Sequence, residues 1–147
     1  MPFTIQIATD ADADALAAIK HAGGMCVTVS IDEMSFLHPV HVGDLVTVRA
    51  SVNDAGTTSV EVGVRVEVED VVTGDRMHTS SAYLVFVALD REGKPRPVPP
   101  VVAETDVQRR RQHEAKIRRE TRLAHREAIL EHRREAESAG SGTMEEA

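Results

Sequence analysis

Hydrophobic and polar residues alternate through the middle of the chain. Valines occupy every second position from Val60 to Val68, and Glu, Gly and Arg residues lie between them. This period of two predicts a strand with one face buried and the other face in water. The later run from Met77 to Leu89 becomes almost wholly apolar after Ala82, as expected for a central strand that is covered on both faces.

Three further segments rich in β-branched and apolar residues predict three more strands. They are residues 26–31, a short segment at 34–37, and residues 45–52. Turn-forming residues separate the strands, at 41–44, 53–56 and 73–75. The pattern therefore predicts a run of antiparallel strands between Met25 and Leu89.

Helical patterns precede and follow these strands. From Ala11 to His21 the chain is rich in alanine and has Leu16 and Ile19 three positions apart, and two glycines follow, which together predict one short helix. Residues 104–137 favour a helix but contain few apolar residues, so we expect a mostly solvated helix that docks by its first half. This segregation predicts an α+β domain with a helix packed on one face of an antiparallel sheet.

The remaining segments divide the chain into three parts. The turn and proline-rich stretch at 90–100 cannot join a central strand ladder and should run over the surface. We therefore expect a globular domain at 1–103, a charged helix at 104–137, and a disordered tail of small and polar residues at 138–147.

The composition fits one small domain. The chain has 147 residues, of which 41% are hydrophobic and 28% charged. Aromatic residues make up only 3%, so we expect an aliphatic core. The single cysteine, Cys26, excludes a disulfide within the chain. The sequence has neither an apolar run of membrane-spanning length nor a signal-peptide pattern, so we expect a cytoplasmic protein.

Charge is distributed unevenly along the chain. Residues 1–108 contain 7 basic and 16 acidic side chains, whereas residues 109–137 contain 10 basic and 6 acidic ones. An acidic body does not attract nucleic acid, and glutamates interrupt the basic segment. We therefore predict no nucleic-acid partner.

Common short motifs of catalysis and metal binding are missing. The sequence has no phosphate-binding glycine loop, serine nucleophile elbow or dinucleotide fingerprint. Three aspartates, Asp10, Asp12 and Asp14, resemble the start of a calcium loop, but Ala15 and His21 stand where that loop needs a glycine and a bidentate glutamate. We therefore predict no calcium site.

Histidine and cysteine offer little more. His38 and His41 flank a Pro-Val pair without a third ligand at suitable spacing, so we expect a surface turn and no metal. Cys26 begins an apolar strand, where a buried and unreactive thiol is the common outcome.

The start of the first helix offers a carboxylate. On a helical wheel Asp12 lies in line with Leu16 and Ile19, whereas Asp10 and Asp14 point elsewhere. We therefore expect Asp12 to face the sheet, where it would act as a general base on water or as a nucleophile while free backbone N–H groups of the helix start polarise a carbonyl. The alternative is that all three aspartates lie in water and interact only with the helix dipole.

Two longer strings carry a resemblance to a known family. They are VTVSIDEMSFLHPVHVGD and TSVEVGVRVEVEDVVTGDRMHTSSAYLVFVALDREGKPRPVPP. From about Ala17 to Leu123 the chain resembles the acyl-CoA thioesterases of the hot-dog fold, in the branch of the YciA type and the brain acyl-CoA hydrolase. The resemblance lies in the order and spacing of HPVHVGD, the TG turn, SSAY, FVALD and GKPRPVPP.

The resemblance implies both a fold and an assembly. The hot-dog fold is an antiparallel sheet wrapped around a central helix, and members assemble as dimers, often as trimers of dimers, with active sites between subunits. A homodimer or trimer of dimers would also give this small chain enough buried surface. The implied reaction is hydrolysis of an acyl-CoA thioester to a free acid and CoA, with acyl-CoA as substrate and no separate cofactor or metal.

The resemblance also implies site residues. The family places an Asn, an FGG segment and then a helix with a catalytic Asp, whereas this chain begins MPFTIQIATDADAD without Asn or Gly. Counting back without a gap puts the family's Asp at Ala11, so Asp12 is our first catalytic candidate and Asp10 the second. The substrate-binding candidates are Thr58 and Ser59 for the thioester or pantetheine arm, and Arg76, Lys94 and Arg96 for the phosphates of CoA.

Two other functions stay open at this point. The missing Asn and FGG segment favours a catalytically weak or silent hot-dog protein that binds acyl-CoA or serves as an assembly subunit. A hot-dog dehydratase is the third reading, but its Asp/Glu–His machinery is not visible in the sequence.

Overall fold

A computed structural model describes the backbone of residues 13–141 and the side chains of residues 17–138. In chain order the elements are α1 (Ala13–Ala22), β1 (Cys26–Phe36), β2 (Leu45–Ala55), β3 (Ser59–Glu69), β4 (Arg76–Ala88) and α2 (Asp106–Ser141). The helices and strands are segregated along the chain, as the α+β prediction requires.

The four strands form one antiparallel sheet in the order β1-β4-β3-β2. The strand that becomes apolar after Ala82 is β4, and it lies in the interior of the sheet as predicted. The prediction of separate strands at 26–31 and 34–37 is wrong, because β1 is continuous. Register shifts between Thr28 and Ser30 and between Ile31 and Glu33 absorb the irregular alternation that the sequence shows there.

One face of the sheet forms the hydrophobic core with α1. Ala18 of α1, Val60 and Val62 of β3 and Phe86 of β4 are almost fully buried and pack as one cluster. The aliphatic core expected from the composition is present, with Phe86 as the one aromatic member of the cluster among the residues that the structure describes. Alanine at position 18 lets the helix lie close to the valine surface because it has no side chain beyond Cβ.

The opposite face of the sheet is polar, yet part of it is buried under α2. Glu61 lies between Val60 and Val62 and therefore points away from α1. The prediction that this face is wet is wrong at Glu61, which is 6% exposed. The local alternation could not reveal this, because the covering helix lies about 50 residues later in the chain. The expected docking of that helix by its first half is confirmed.

One turn of α2 places three arginines against three buried carboxylates, each on a different strand. The pairs are Arg118 with Glu61 on β3, Arg119 with Asp54 on β2, and Arg122 with Asp32 on β1. We call Arg118, Arg119 and Arg122 the arginine clamp. The carboxylate side chains are only 7%, 6% and 6% exposed, so each would be costly to leave unpaired.

The pair between Arg118 and Glu61 has the most complete geometry. Arg118 donates from Nη2 to Glu61 Oε1 at 2.6 Å and from Nε to Oε2 at 3.3 Å. Asn53 Nδ2 also donates to Glu61 Oε1 at 3.2 Å, and the guanidinium carbon lies 3.6 Å from the ring centroid of Tyr83. Burial works against the charged form of Arg118, but the hydrogen bond and charge of Glu61 outweigh it and raise the pKa of the guanidinium.

The ends of α2 differ slightly from the expected segment. The helix runs from Asp106 to Ser141, so residues 138–141 of the segment expected to be a tail are helical. The rest of that segment, residues 142–147, lies outside the described residues. Neither helix within the described residues is long and apolar enough to cross a membrane.

We predict that Arg118→Ala lowers the free energy of unfolding by about 3 kcal/mol, because the substitution leaves the Glu61 carboxylate buried without its cation. Urea unfolding at one fixed protein concentration measures the change. The control is Arg126→Ala, which removes an exposed arginine four residues beyond the clamp and should change stability by less than about 0.5 kcal/mol. Equal stability of the two variants would contradict the role of the clamp.

Candidate active site

The C-terminal end of α1 is tied to the segment that follows β4. Arg96 donates from Nη2 to the carbonyl oxygen of Ala22 at 2.9 Å and from Nε to that of Leu89 at 3.1 Å. His21 Nε2 donates to the carbonyl oxygen of Pro99 at 2.9 Å. These bonds satisfy a carbonyl at the helix end and bring positive charge to the negative end of the helix dipole.

The proline-rich segment 89–99 forms a strap beside this helix end. It folds back through a bridge between Leu89 and Pro95, and Arg96 N donates to the carbonyl of Ala88 at 2.9 Å. Val98 N donates to the carbonyl of Thr57 in the turn between β2 and β3, also at 2.9 Å. The strap therefore joins α1, the end of β4 and that turn, and we call the region where they meet the strap corner.

The face of α1 that meets the sheet differs from the one we expected. Ala18 and Ala22 are 0% and 4% exposed, whereas Ile19 is 39% exposed. The stripe of small residues therefore lies against the sheet, and the expectation that Ile19 marks the sheet-facing side is wrong. The alignment of Asp12 with Ile19 consequently gives no reason to prefer Asp12 over Asp10. Both aspartates lie outside the described residues.

Thr58 and Ser59 lie at the strap corner. Both are half-buried. The carbonyl of Thr58 accepts a hydrogen bond from Ala88 N at 2.9 Å, and Gly56 N donates to the carbonyl of Ser59 at 2.7 Å. Ser59 Oγ lies 3.4 Å from Arg119 Nη2 of the clamp, on the α2 side of the sheet.

The three basic candidates lie in two places. Lys94 is exposed in the strap turn, and Arg96 is half-buried with its guanidinium bonded to backbone carbonyls. Arg76 lies at the other end of the sheet, where it pairs with Glu69 at 2.7 Å. Because β3 has 11 residues, about 33 Å of strand separates Arg76 from the strap corner within one chain.

Cys26 lies beside the strap, and its environment keeps the thiol protonated. Desolvation by burial raises the pKa of Cys26, and the charge of Arg96 opposes this only in part. Its Sγ lies 3.6 Å from the carbonyl oxygen of Gly24. This agrees with the expectation of an unreactive thiol.

Two sets of residues were not found by sequence reasoning. The first set is Arg96 and His21, whose hydrogen bonds to backbone carbonyls cannot be predicted from a pattern of side chains. The second is the arginine clamp, whose signal was present in the mismatch between an acidic body and a basic C-terminal helix. In the sequence that mismatch argues only against nucleic acid as a partner. No cluster of three or more metal-ligating side chains occurs in the described part of the chain.

Comparison with known proteins matches this architecture to one family. Residues 7–74 match the thioesterase superfamily. The acyl-CoA thioester hydrolase YciA of Escherichia coli is 42% identical over 88 residues, which are 58% of this chain and 67% of that protein. The chain spans only 55% of the length of several other curated relatives that it matches.

Solved structures agree. An acyl-CoA hydrolase from Staphylococcus aureus, described in complexes with butyryl-CoA, CoA and CoA disulfide, has a TM-score of 0.71 and 40% identity over 85% of this chain and 76% of its own. A hexameric acyl-CoA thioesterase has a TM-score of 0.72 and 33% identity, covering 84% and 88%. The predicted hot-dog fold is therefore confirmed. Alanine variants of the S. aureus enzyme at an aspartate and at a threonine 17 residues later have also been characterised.

We predict that iodoacetamide alkylates Cys26 in the folded chain at pH 7.5 at least about tenfold more slowly than in the chain unfolded in urea, because burial lowers the thiolate fraction. Mass spectrometry of timed samples measures both rates on the same residue, so the unfolded chain is its own control. Faster alkylation of the folded chain would mean that Cys26 is activated.

Proposed function

Since the chain belongs to the thioesterase superfamily, we propose that it hydrolyses acyl-CoA thioesters to a free carboxylic acid and CoA. The observation that carries the proposal is the likeness, over most of the chain, to a hydrolase whose described complexes contain CoA and butyryl-CoA. CoA enters as part of the substrate, so the reaction takes no separate cofactor. We assign the reaction to the cytoplasm.

The proposed chemistry takes place at the start of α1. A carboxylate directly before this helix, Asp12 or Asp10, takes a proton from water, and the hydroxide oxygen attacks the thioester carbonyl. Helix α1 is described from Ala13 onward, and the N–H groups of the first turn of a helix have no partner within the helix. They stabilise the oxyanion that forms. Collapse of the intermediate breaks the C–S bond, and the thiolate of CoA takes up a proton.

Thr28 is a further candidate that sequence reasoning did not single out. The two substituted residues of the S. aureus variants, an aspartate and a threonine, are 17 residues apart. The residue 17 positions before Thr28 in this chain is Ala11, which lies between Asp10 and Asp12. Thr28 pairs with Phe86 in the sheet, so it lies on the same face as α1. We propose that its exposed hydroxyl forms a hydrogen bond with the attacking water or with the thioester oxygen.

The strap corner supports binding of the substrate. Lys94 is exposed and forms no ion pair with any residue that the structure describes, so it is our first candidate for a phosphate of CoA. Arg96 instead acts by positioning, because it holds the end of α1 on the strap. Thr58 and Ser59 remain candidates for the pantetheine arm. Arg76 reaches a site only in another subunit of an oligomer, because it lies at the far end of the sheet.

Assembly is part of the proposal. Large apolar side chains are exposed on β1 and the loop after it, among them Phe36 at 76%, Leu37 at 55% and Val42 at 85%. Such a patch is typical of a surface that another chain covers. A homodimer or trimer of dimers would cover it and supply residues to each site, and one of the similar solved structures is hexameric.

One observation favours a second function. The spacing of the S. aureus variants leads to Ala11, which has no carboxylate, so binding of acyl-CoA without hydrolysis is the alternative. Binding of CoA by the wild-type chain without any release of thiol from acyl-CoA would favour it.

We predict that one of the two substitutions Asp12→Asn and Asp10→Asn reduces thiol release from acyl-CoA by at least about a hundredfold, because an amide cannot accept the proton. A thiol-reactive dye follows the reaction over a panel of acyl chain lengths. Asp10→Asn is measured in parallel, and the control is Asp106→Asn, which makes the same change at a side chain that is 97% exposed.

The outcomes separate the possible roles of the two aspartates. A loss with Asp10→Asn alone would transfer the role of base to Asp10. Full activity of both variants would contradict a carboxylate base before α1. An absence of turnover by the wild type on every chain length would contradict the hydrolase.

A further inference from the structure

A cleft of about 520 Å³ opens on the α2 side of the sheet, away from the proposed reaction site. Its walls are strands β2, β3 and β4 and the first turns of α2. Four arginines line it, namely Arg49, Arg65, Arg110 and Arg111, and we call it the arginine cleft. Its volume is within the usual range for small-molecule sites.

The arginine cleft is positive although the whole chain has a net charge of −7. Arg49 and Arg65 share one carboxylate, Glu67, at 3.6 and 2.8 Å, and Arg110 lies 3.9 Å from Glu114. Arg111 contacts Ser51 Oγ at 3.4 Å and has no carboxylate within 4.0 Å among the side chains that the structure describes. Four guanidinium groups therefore face two carboxylates.

Two of these arginines are held directly opposite each other. Arg49 and Arg65 are register partners in the ladder between β2 and β3, and like charges in that position repel. Their side chains remain 63% and 50% exposed, so each guanidinium keeps N–H donors that are accessible to solvent. An anion placed between them would relieve the repulsion that Glu67 compensates only in part.

The floor of the cleft is polar and uncharged. Ser81 is the register partner of Arg65, and Ser51, Asn53 and Tyr83 also line the cleft. Gly63 keeps this floor open, since a Cβ there would lie 2.6 Å from Nδ2 of Asn53. Ser51 Oγ donates to Asn53 Oδ1, and Asn53 Nδ2 donates to Glu61, so the charged forks of the arginines are the donors that the cleft offers to phosphate oxygens.

We propose that the arginine cleft binds the phosphate groups of a nucleotide. Guanidinium groups bind phosphate in a bidentate manner, and an excess of two positive charges suits a diphosphate better than a single carboxylate. The nucleotide is either a free one or the nucleotide portion of CoA. The second source rests on the proposed function.

The test is isothermal titration of the full chain with ADP, pyrophosphate and CoA at low ionic strength. Arg111→Gln and Arg65→Gln should each weaken binding of ADP and pyrophosphate about tenfold, because each removes a charge-assisted fork. Arg111→Lys should fall between Arg111→Gln and the wild type, because it keeps the charge and loses the fork. The control Arg133→Gln, at an exposed position far along α2, should bind within twofold of the wild type.

Competition distinguishes the two sources. Displacement of ADP by CoA, together with a raised KM for acyl-CoA in Arg111→Gln, assigns the cleft to the nucleotide portion of the substrate. Binding of ADP that CoA does not displace assigns it to a free nucleotide. Either result supports the proposal.

The proposal is overturned if neither ADP, pyrophosphate nor CoA binds to the wild type, or if Arg111→Gln and Arg65→Gln bind as the wild type does. This result is independent of hydrolysis. Asp12→Asn should retain binding of ADP, so failure of the thioesterase proposal and failure of the cleft proposal are separate observations.

Discussion

The structure depends on the pairing of three buried carboxylates by three arginines from one turn of α2. Asp32, Asp54 and Glu61 project from three different strands into space that water scarcely reaches. An unpaired carboxylate there would cost several kcal/mol, so the acidic side chains on the polar face of the sheet can be buried only where an arginine of the clamp pairs with them. The clamp gives no large net stability by itself. It determines where a mostly hydrophilic helix lies, which its few apolar residues could not do.

Fixing α2 in this way separates the sheet into two faces with different tasks. The valine face packs on α1, whose end is bonded to the strap by Arg96 and His21, so the proposed reaction takes place on the apolar side. The polar face carries the clamp and, beside it, the arginine cleft. The acidic body and basic helix are thus complementary surfaces of one molecule. The buried carboxylates are paired with the clamp, and the arginines near residue 111 lie outside it and give the arginine cleft its positive charge.

Much of the fold was predictable because its signals are local. The valine alternation located β3, the apolar end of β4 placed it inside the sheet, and the alanine-rich segment with its two glycines located α1. Features that depend on distant residues were missed. Glu61 is buried by a helix about 50 residues away, and β1 is continuous because two register shifts correct its alternation. Ile19 is exposed because alanine, not the larger residue, allows close packing on the sheet. Among the candidate site residues, Thr58, Ser59, Lys94 and Arg96 share one corner, whereas Arg76 lies a strand length away.

The division of tasks between the two faces is tested most directly by a crystal structure with a thioether analogue of acyl-CoA, in which a methylene group replaces the reactive carbonyl. We expect the sulfur on the α1 side of the sheet, beside the residues that precede Ala13 and within reach of Thr28. A sulfur seated on the α2 side, with the start of α1 far from the ligand, would contradict it.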